Sequence, residues 1–458
     1  MRSVFPRPLP CPRPRRSFCA GVTGSGAAVI ALAAALAIAP AARALTVEEI
    51  VSRQGIKAWL VEEHSVPLVA IRFAFLGGGS QDPPGNEGLC GMFSDLLTEG
   101  AGDLPAETFK ERLAGLGTRL STSSGRDGIY GSLQTLSKHF ADSAELMRLM
   151  LASPRFDADA IERVRAQHLT DLALAANDPN KLVLNRWYAV AFPGHPYGRP
   201  VDGTPETIGR ITADTLKAMQ GKLLARDVLR VVIVGDIDKN RAMGALDSVF
   251  GALPQKTDAV PVGKVEPGVV AAPVVIDKDF PLATAFFGLP SLANDHPDFP
   301  ALQVLNQIIG SGDFDSRLMD EIRVKRGLTY SISTSLLRDT VTSLLVGGLA
   351  TKNDVMGTAL GLVKEVFLDE VRNGPTQSQF ENAKRYLTGS FLLDFDTNVK
   401  AAGSLLTIQL LGERPDYLVV RNQRIAAVTL DAVKRVAGEV LKPERMVVTV
   451  VGKPKLAP

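Results

Sequence analysis

Histidine and cysteine are scarce. The 458 residues contain five histidines and three cysteines. The histidines are His64, His139, His168, His195 and His296, and none stands three or four positions from another. No Cys/His pair has zinc-finger spacing. Local patterns that hold a metal, a helical His pair or a finger, are therefore excluded. His195 and His296 each neighbour a proline and read as loop residues. A surplus of one charge is also missing. Fifty-one Lys and Arg against 49 Asp and Glu leave a formal charge of +2, so charge gives no case for nucleic acid or an acidic membrane as partner.

Two of the three cysteines, Cys11 and Cys19, fall in a leader-like stretch over residues 1–44. Arg2, Arg7, Arg13, Arg15 and Arg16 make a basic start, residues 27–39 are apolar, and Ala42-Arg43-Ala44 has the small-x-small form of a cleavage site. The apolar run is short for a membrane span. Leu45 is the expected mature start, with a periplasmic or secreted location. Arg15-Arg16-Ser17-Phe18 also fits the twin-arginine pattern. Cys19 precedes the apolar run, which argues against a lipid anchor. Cys90 is then the single mature cysteine, unable to form an intrachain disulfide and expected to pack as a small hydrophobe.

What is present is a repeat. Ile208-Gly209-Arg210-Ile211-Thr212-Ala213-Asp214-Thr215-Leu216-Lys217 aligns without a gap on Ile425-Ala426-Ala427-Val428-Thr429-Leu430-Asp431-Ala432-Val433-Lys434. At the same offset Gly221 meets Gly438, Leu224 meets Leu441, Val231 meets Val448, and Val234-Gly235 meets Val451-Gly452. Each copy reads as a helix, capped by Thr212 or Thr429, then a turn and a buried strand. Such a repeat implies two domains of one topology. Between them, residues 254–273 hold Pro254, Pro261, Pro267 and Pro273 and lack helical periodicity, so they read as an extended linker. The expected organisation is a signal peptide over 1–44, an N-terminal domain over 45–253, the linker over 254–273, and a C-terminal domain over 274–458.

Strands are expected at 68–76, around Ile129-Tyr130, at 284–289 and within 331–349. Helices are expected at 88–100, 105–115, 300–309, 355–371 and 377–391. The fold class is α+β: two homologous domains, each a mostly antiparallel sheet with helices on one face.

The 88–100 helix carries Leu89, Met92, Phe93, Leu96 and Leu97 on one stripe. It resembles the helix that bears the inverted zinc motif His-x-x-Glu-His in the pitrilysin/insulinase (M16) family of zinc peptidases. The matching positions here are Gly91, Ser94 and Asp95: no imidazole, no general base and at most one weak carboxylate ligand. The third family ligand, a Glu on a later helix, has its nearest counterpart in Asp171. The resemblance runs from about Leu45 to the C-terminus. It includes the loop Gly194-His195-Pro196-Tyr197-Gly198-Arg199-Pro200-Val201-Asp202-Gly203-Thr204. It also includes Asp315-Ser316-Arg317-Leu318-Met319-Asp320-Glu321-Ile322-Arg323 with Arg326-Gly327-Leu328-Thr329-Tyr330, and Phe380-Glu381-Asn382-Ala383-Lys384.

The resemblance implies a chain that keeps the peptidase scaffold without its zinc. In two-subunit members, the zinc-less subunit donates an Arg and a Tyr to its partner's active site, seven residues apart. Arg323 and Tyr330 fit that spacing, with Gly327 between them breaking the helix so that Tyr330 begins a strand. A Tyr hydroxyl and an Arg would stabilise negative charge on the scissile carbonyl oxygen. Arg317 and Arg326 serve as controls without a catalytic role. The family binds peptides along a sheet edge. Ser121, Thr122, Ser123 and Ser124, followed by Gly125, resemble that edge, though they also fit a plain solvent-facing strand. The segment 309–313 resembles a glycine-bearing loop, or is a helix C-cap. The implied function is the zinc-less subunit of a two-chain peptidase, inactive alone. It would close clamshell-fashion on an unfolded or short peptide with a partner that carries zinc on an intact motif. The alternative is a non-enzymatic scaffold or peptide-binding protein on the same fold.

Overall fold

A computed structural model describes residues 45–456. The leader-like stretch, including Cys11, Cys19 and the expected cleavage site, lies outside the described residues.

The strand Leu68–Leu76 organises the first half. Its alternating side chains divide: Val69, Ile71, Phe73 and Phe75 enter one core, while Ala70 and Ala74 are buried on the opposite face. It pairs antiparallel with Gly128–Leu136 and with Leu229–Gly235. The sheet has six strands, in the order Glu48–Val51, Lys57–Glu62, Leu229–Gly235, Leu68–Leu76, Gly128–Leu136, Arg119–Ser124. Its only parallel pair is Lys57–Glu62 with Leu229–Gly235.

The second half repeats the plan. Leu282–Pro290 lies between Ser343–Lys352 and Val447–Gly452, antiparallel to both. The five-stranded order is Ile332–Arg338, Ser343–Lys352, Leu282–Pro290, Val447–Gly452, Val274–Asp277, again with one parallel pair, the last two. The same packing device recurs in both sheets. Phe73 sits opposite Gly131 and Phe287 opposite Gly347, each ring lying where a Cβ would stand, 1.8 Å from Phe73 Cζ and 2.4 Å from Phe287 Cζ.

The repeated unit has the expected form. Thr212 accepts from the Thr215 amide at the start of Ala213–Leu223, and Thr429 accepts from the Ala432 amide at the start of Leu430–Val440. The strands Leu229–Gly235 and Val447–Gly452 follow. Several bounds differ from the sequence reading. The 88–100 helix is shorter, Leu89–Leu96, because Gly100 (φ +107°) opens a two-strand hairpin with Leu104–Pro105. The helix Phe299–Asn306 runs on into wide π-type turns through Ser311, so 309–313 is neither a free loop nor a simple cap. Tyr330 does not begin a strand; the strand starts at Ile332.

The reading missed the helices that cover the far side of each sheet, and they are exchanged between halves. Pro179–Ala191, from the first half, lies on Val447–Gly452 and Leu282–Pro290 of the second sheet. Trp187, fully buried, donates from Nε1 to the Val447 carbonyl at 3.0 Å and stacks edge-on with Phe286. Asn398–Leu410, from the second half, lies on Leu229–Gly235 and Leu68–Leu76 of the first sheet. Its buried residues are smaller: Ala401, Ala402, Leu405, Leu406 and Ile408. Helices on one face is thus true of each half's own layer, while the other face receives one helix from across the molecule. Residues 254–273 form no helix or strand. They are pinned along their length: Val260 to Gln81, Gly263 to His195, Val265 to Val341, and Gly268 to Ala191.

Candidate functional site

The helix Leu89–Leu96 is held from its N-terminus. The buried Asp82 accepts from the amides of Gly88 and Cys90, both at 2.9 Å. Burial pushes the Asp82 carboxyl up to about 7, against the pull of those amides. Arg199, from the 194–204 loop, donates to the carbonyls of Ser80 (3.1 Å) and Asp82 (2.7 Å), so that loop braces the helix entry. Leu89, Met92, Phe93 and Leu96 face the core, as the stripe requires. Cys90 is buried and unpaired beside Ser124, and burial raises its thiol well above the ordinary value, so it packs rather than reacts.

Gly91, Ser94 and Asp95 therefore point toward the edge strand and the helix Ala158–Ala175. What meets them there is His168. Its Nε2 lies 2.8 Å from Asp95 Oδ2, and its side chain is 16% exposed against 50% for Asp95. A Cβ on Gly91 would come within 3.3 Å of His168 Cε1. Ser94 Oγ donates to the Gly91 carbonyl at 2.9 Å, and Thr122 Oγ1 donates to the Ser94 carbonyl at 2.6 Å. Asp171, the counterpart of the third ligand, accepts instead from Gln167 on its own helix at 3.0 Å.

This donor set does not fit zinc. Glycine offers no ligand atom, the serine hydroxyl is committed to backbone, and the one carboxylate is taken by an imidazole. Among the described residues no group of three His, Cys, Asp or Glu side chains could hold a metal ion. The direct His168–Asp95 bond ties the helix Leu89–Leu96 to the helix Ala158–Ala175. Spacing in sequence could not reveal it, since 73 positions separate the partners. The available signal was that His168 stands one helical turn before Asp171.

The strand Arg119–Ser124 is the outer edge of its sheet, paired only with Gly128–Leu136. Thr122 is turned toward the Leu89–Leu96 helix and Ser124 sits beside Cys90, while Ser121 and Ser123 are exposed.

In the second half, Arg323 lies in the wide-turned segment Met319–Val324. Gly327 (φ +60°) ends it, with its amide bonded to the Arg323 carbonyl at 2.8 Å. The chain then turns back, and Thr329 Oγ1 donates to the Ala350 carbonyl at 2.8 Å. This return brings the Tyr330 ring over the Arg323 guanidinium, 4.5 Å from its centre, and Phe314 lies over the same group at 4.6 Å. Tyr330 is 75% exposed. The structure thus brings Arg323 and Tyr330 together and adds Phe314, which sequence reading passed over. Arg317 and Arg326 are engaged elsewhere. Arg317 pairs with Asp369 and the buried Glu370, and Arg326 with Glu321 at 2.6 Å.

Residues 58–205 match the family model described as insulinase (peptidase family M16), and residues 210–387 match that described as the peptidase M16 inactive domain. The chain belongs to the M16 peptidase family and is of its inactive type. A Helicobacter pylori protein named non-peptidase homolog YmxG is 29% identical over 350 residues, covering 76% of this chain and 80% of that one. A Bacillus subtilis protein named as an uncharacterized zinc protease, YmxG, is 22% identical over 388 residues, 84% of this chain and 93% of that one. Among solved structures, a peptidase M16 inactive domain from Pseudomonas fluorescens superposes with a TM-score of 0.83 at 28% identity, over 90% of this chain and 99% of that chain. A chain of complex III2 from Candida albicans shares the fold, with a TM-score of 0.72 at 13% identity over 89% of this chain and 96% of its own.

Proposed function

We propose that this chain is the zinc-less subunit of a two-chain M16-type peptidase, and that it completes the active site of a partner bearing an intact His-x-x-Glu-His motif. The observation that carries the reading is the Arg323–Tyr330 pair. A large aromatic that is 75% exposed, set over a guanidinium by a glycine-ended turn, contributes little to the core. That exposure supports a role outside the chain. In amide hydrolysis the carbonyl oxygen gains negative charge. The Tyr330 hydroxyl would donate a hydrogen bond to it, and Arg323 would favour the charge. The exposed edge strand Arg119–Ser124 would take an extended peptide by backbone pairing, with Ser121 and Ser123 facing outward. Export ahead of maturation at Leu45, and the division into domains over 45–253 and 274–458, belong to the same proposal. Among the described residues no helix is long and apolar enough to cross a membrane.

The test is co-expression with a relative that carries the zinc motif, followed by co-purification and cleavage of a fluorescence-quenched, unstructured peptide by each chain alone and by both together. Activity only in the mixture, lost with Tyr330→Phe while the complex still co-purifies, supports the reading. Full activity of the Tyr330→Phe complex sinks it.

The name of the Helicobacter pylori relative, a non-peptidase homolog, favours a second reading: a scaffold or peptide-binding protein. A purified chain that pairs with no such relative, yet binds the peptide, would select it.

A further inference from the structure

Phe314 is an apolar side chain left 57% exposed in a segment, Gly312-Asp313-Phe314-Asp315, otherwise made of glycine and acids. Its one described aromatic contact is with the Arg323 guanidinium, which it shares with Tyr330. We infer that Phe314 is a positioning residue: it holds Arg323 in the orientation that Arg323 and Tyr330 present to a partner's site. The inference rests on the functional reading above.

The three groups come from successive segments and converge on the guanidinium. Phe314 lies on the single turn Asp313–Asp315, closed by the Asp315 amide on the Gly312 carbonyl at 3.1 Å. Three residues further on, Arg317 anchors that turn through its ion pairs with Asp369 and the buried Glu370. Arg323 rises from the following segment, joined to the turn by the Asp320 amide on the Ser316 carbonyl at 2.9 Å. Tyr330 returns from beyond Gly327, tied to the sheet through Thr329. A long, half-buried arginine side chain otherwise samples several rotamers. Attraction to two ring faces restricts it without consuming its N–H donors along the edge of the plane, which stay available to a carbonyl. With Phe314 as a second ring, the restraint on Arg323 does not depend on Tyr330 alone. Phe314, with no polar atom to offer the reaction, can supply that restraint.

The experiment uses the assembled two-chain complex and a fluorescence-quenched, unstructured peptide, with kcat and KM measured separately. Phe314→Ala is expected to lower kcat by about 3- to 10-fold with KM unchanged, the effect of one lost cation–π contact on a group that must be aligned. Phe314→Tyr, which keeps the ring, is expected to restore kcat. A second readout needs no partner. In the full chain with 15N-labelled arginine, the Arg323 Nε–H resonance is expected to lose the Phe314 share of its upfield ring shift in Phe314→Ala, keeping the share from Tyr330, and to recover the whole shift in Phe314→Tyr.

If Arg323→Ala and Tyr330→Phe silence the complex while Phe314→Ala retains kcat, the positioning role is overturned and the functional reading stands. A rise in KM at constant kcat overturns it too, since Phe314 would then bind the peptide directly. If Arg323→Ala retains full activity, the functional reading itself fails and takes this role with it.

Discussion

The two halves share a topology, yet the places where chemistry would sit have gone opposite ways. In the first half the motif helix has turned inward. Asp95 is bonded to His168, Ser94 is bonded to backbone, and Thr122 reaches over the Ser94 carbonyl. In the second half Tyr330 and Phe314 are exposed, and each lies against the half-buried Arg323 guanidinium. The difference teaches how two halves of one topology can differ at their surfaces. Hydrogen bonds close the first-half positions onto the fold. In the second half two aromatic rings are left open to solvent.

The largest effect is expected where the halves interlock. Trp187→Ala should cost about 3–5 kcal/mol, because it empties a site ringed by aromatic side chains and leaves the Val447 carbonyl without its donor. Leu405→Ala on the reciprocal helix should cost about 2–5 kcal/mol. Urea unfolding of both variants ranks them, and a larger loss at Leu405 would break the asymmetry drawn between the two crossing helices.

Next comes the exposed pair. Tyr330→Phe should lower the turnover of the two-chain complex by about 10²–10³, while the melting temperature of the isolated chain stays within the narrow range expected of a surface substitution. A melting temperature that falls with activity would instead make Tyr330 a structural residue, like its first-half counterparts.

A smaller, pH-dependent effect belongs to the junction of the halves. Asp339 is half-buried beside Asp127, Arg126 and Tyr188, and Asp127 accepts from the Thr340 amide at 2.8 Å. Burial, then the neighbouring Asp127, push the Asp339 carboxyl up to about 6. Between the ordinary aspartate value and about 6, the folded state binds more protons than the unfolded state, so this group makes stability fall as pH rises through that window. Asp339→Asn removes the dependence. The variant should gain about 1–3 kcal/mol on the parent as pH is raised from 4 to 7. Chemical denaturation at several pH values measures the gain, and two parallel curves would remove the explanation.

The smallest effect is His168→Ala. It should cost about 0.5–1.5 kcal/mol, the worth of a partly exposed charge-assisted bond, with no change in turnover of the complex. Lost turnover at undiminished stability would show that the first half still contributes chemistry.

Much of this was legible in sequence where the signal is local. The apolar stripe of Leu89–Leu96 and the seven-residue spacing of Arg323 and Tyr330 each lie within one short window, and the repeat is an ungapped match between two such windows, 208–235 and 425–452. The remainder depends on who faces whom. Pro179–Ala191 has its own apolar residues, but nothing in them says that Trp187 packs on the other half's sheet. His168 is an ordinary helical residue until Asp95 is brought beside it. Phe314 carries no signal in sequence because the group it covers lies beyond an intervening turn.

The exchanged helices set a schedule for folding. The first sheet emerges from the ribosome by residue 253, but the helix that shields its far face is not synthesised until residue 410. At ordinary elongation rates that interval is roughly 10–30 s. Throughout it Ala70, Ala74, Val232 and Val234 have no cover, and an incomplete chain presents an apolar surface to its neighbours. Truncation anywhere before Asn398 should therefore yield an aggregating fragment rather than a smaller folded protein, and the two halves are inherited as one cooperative object despite their repeated design.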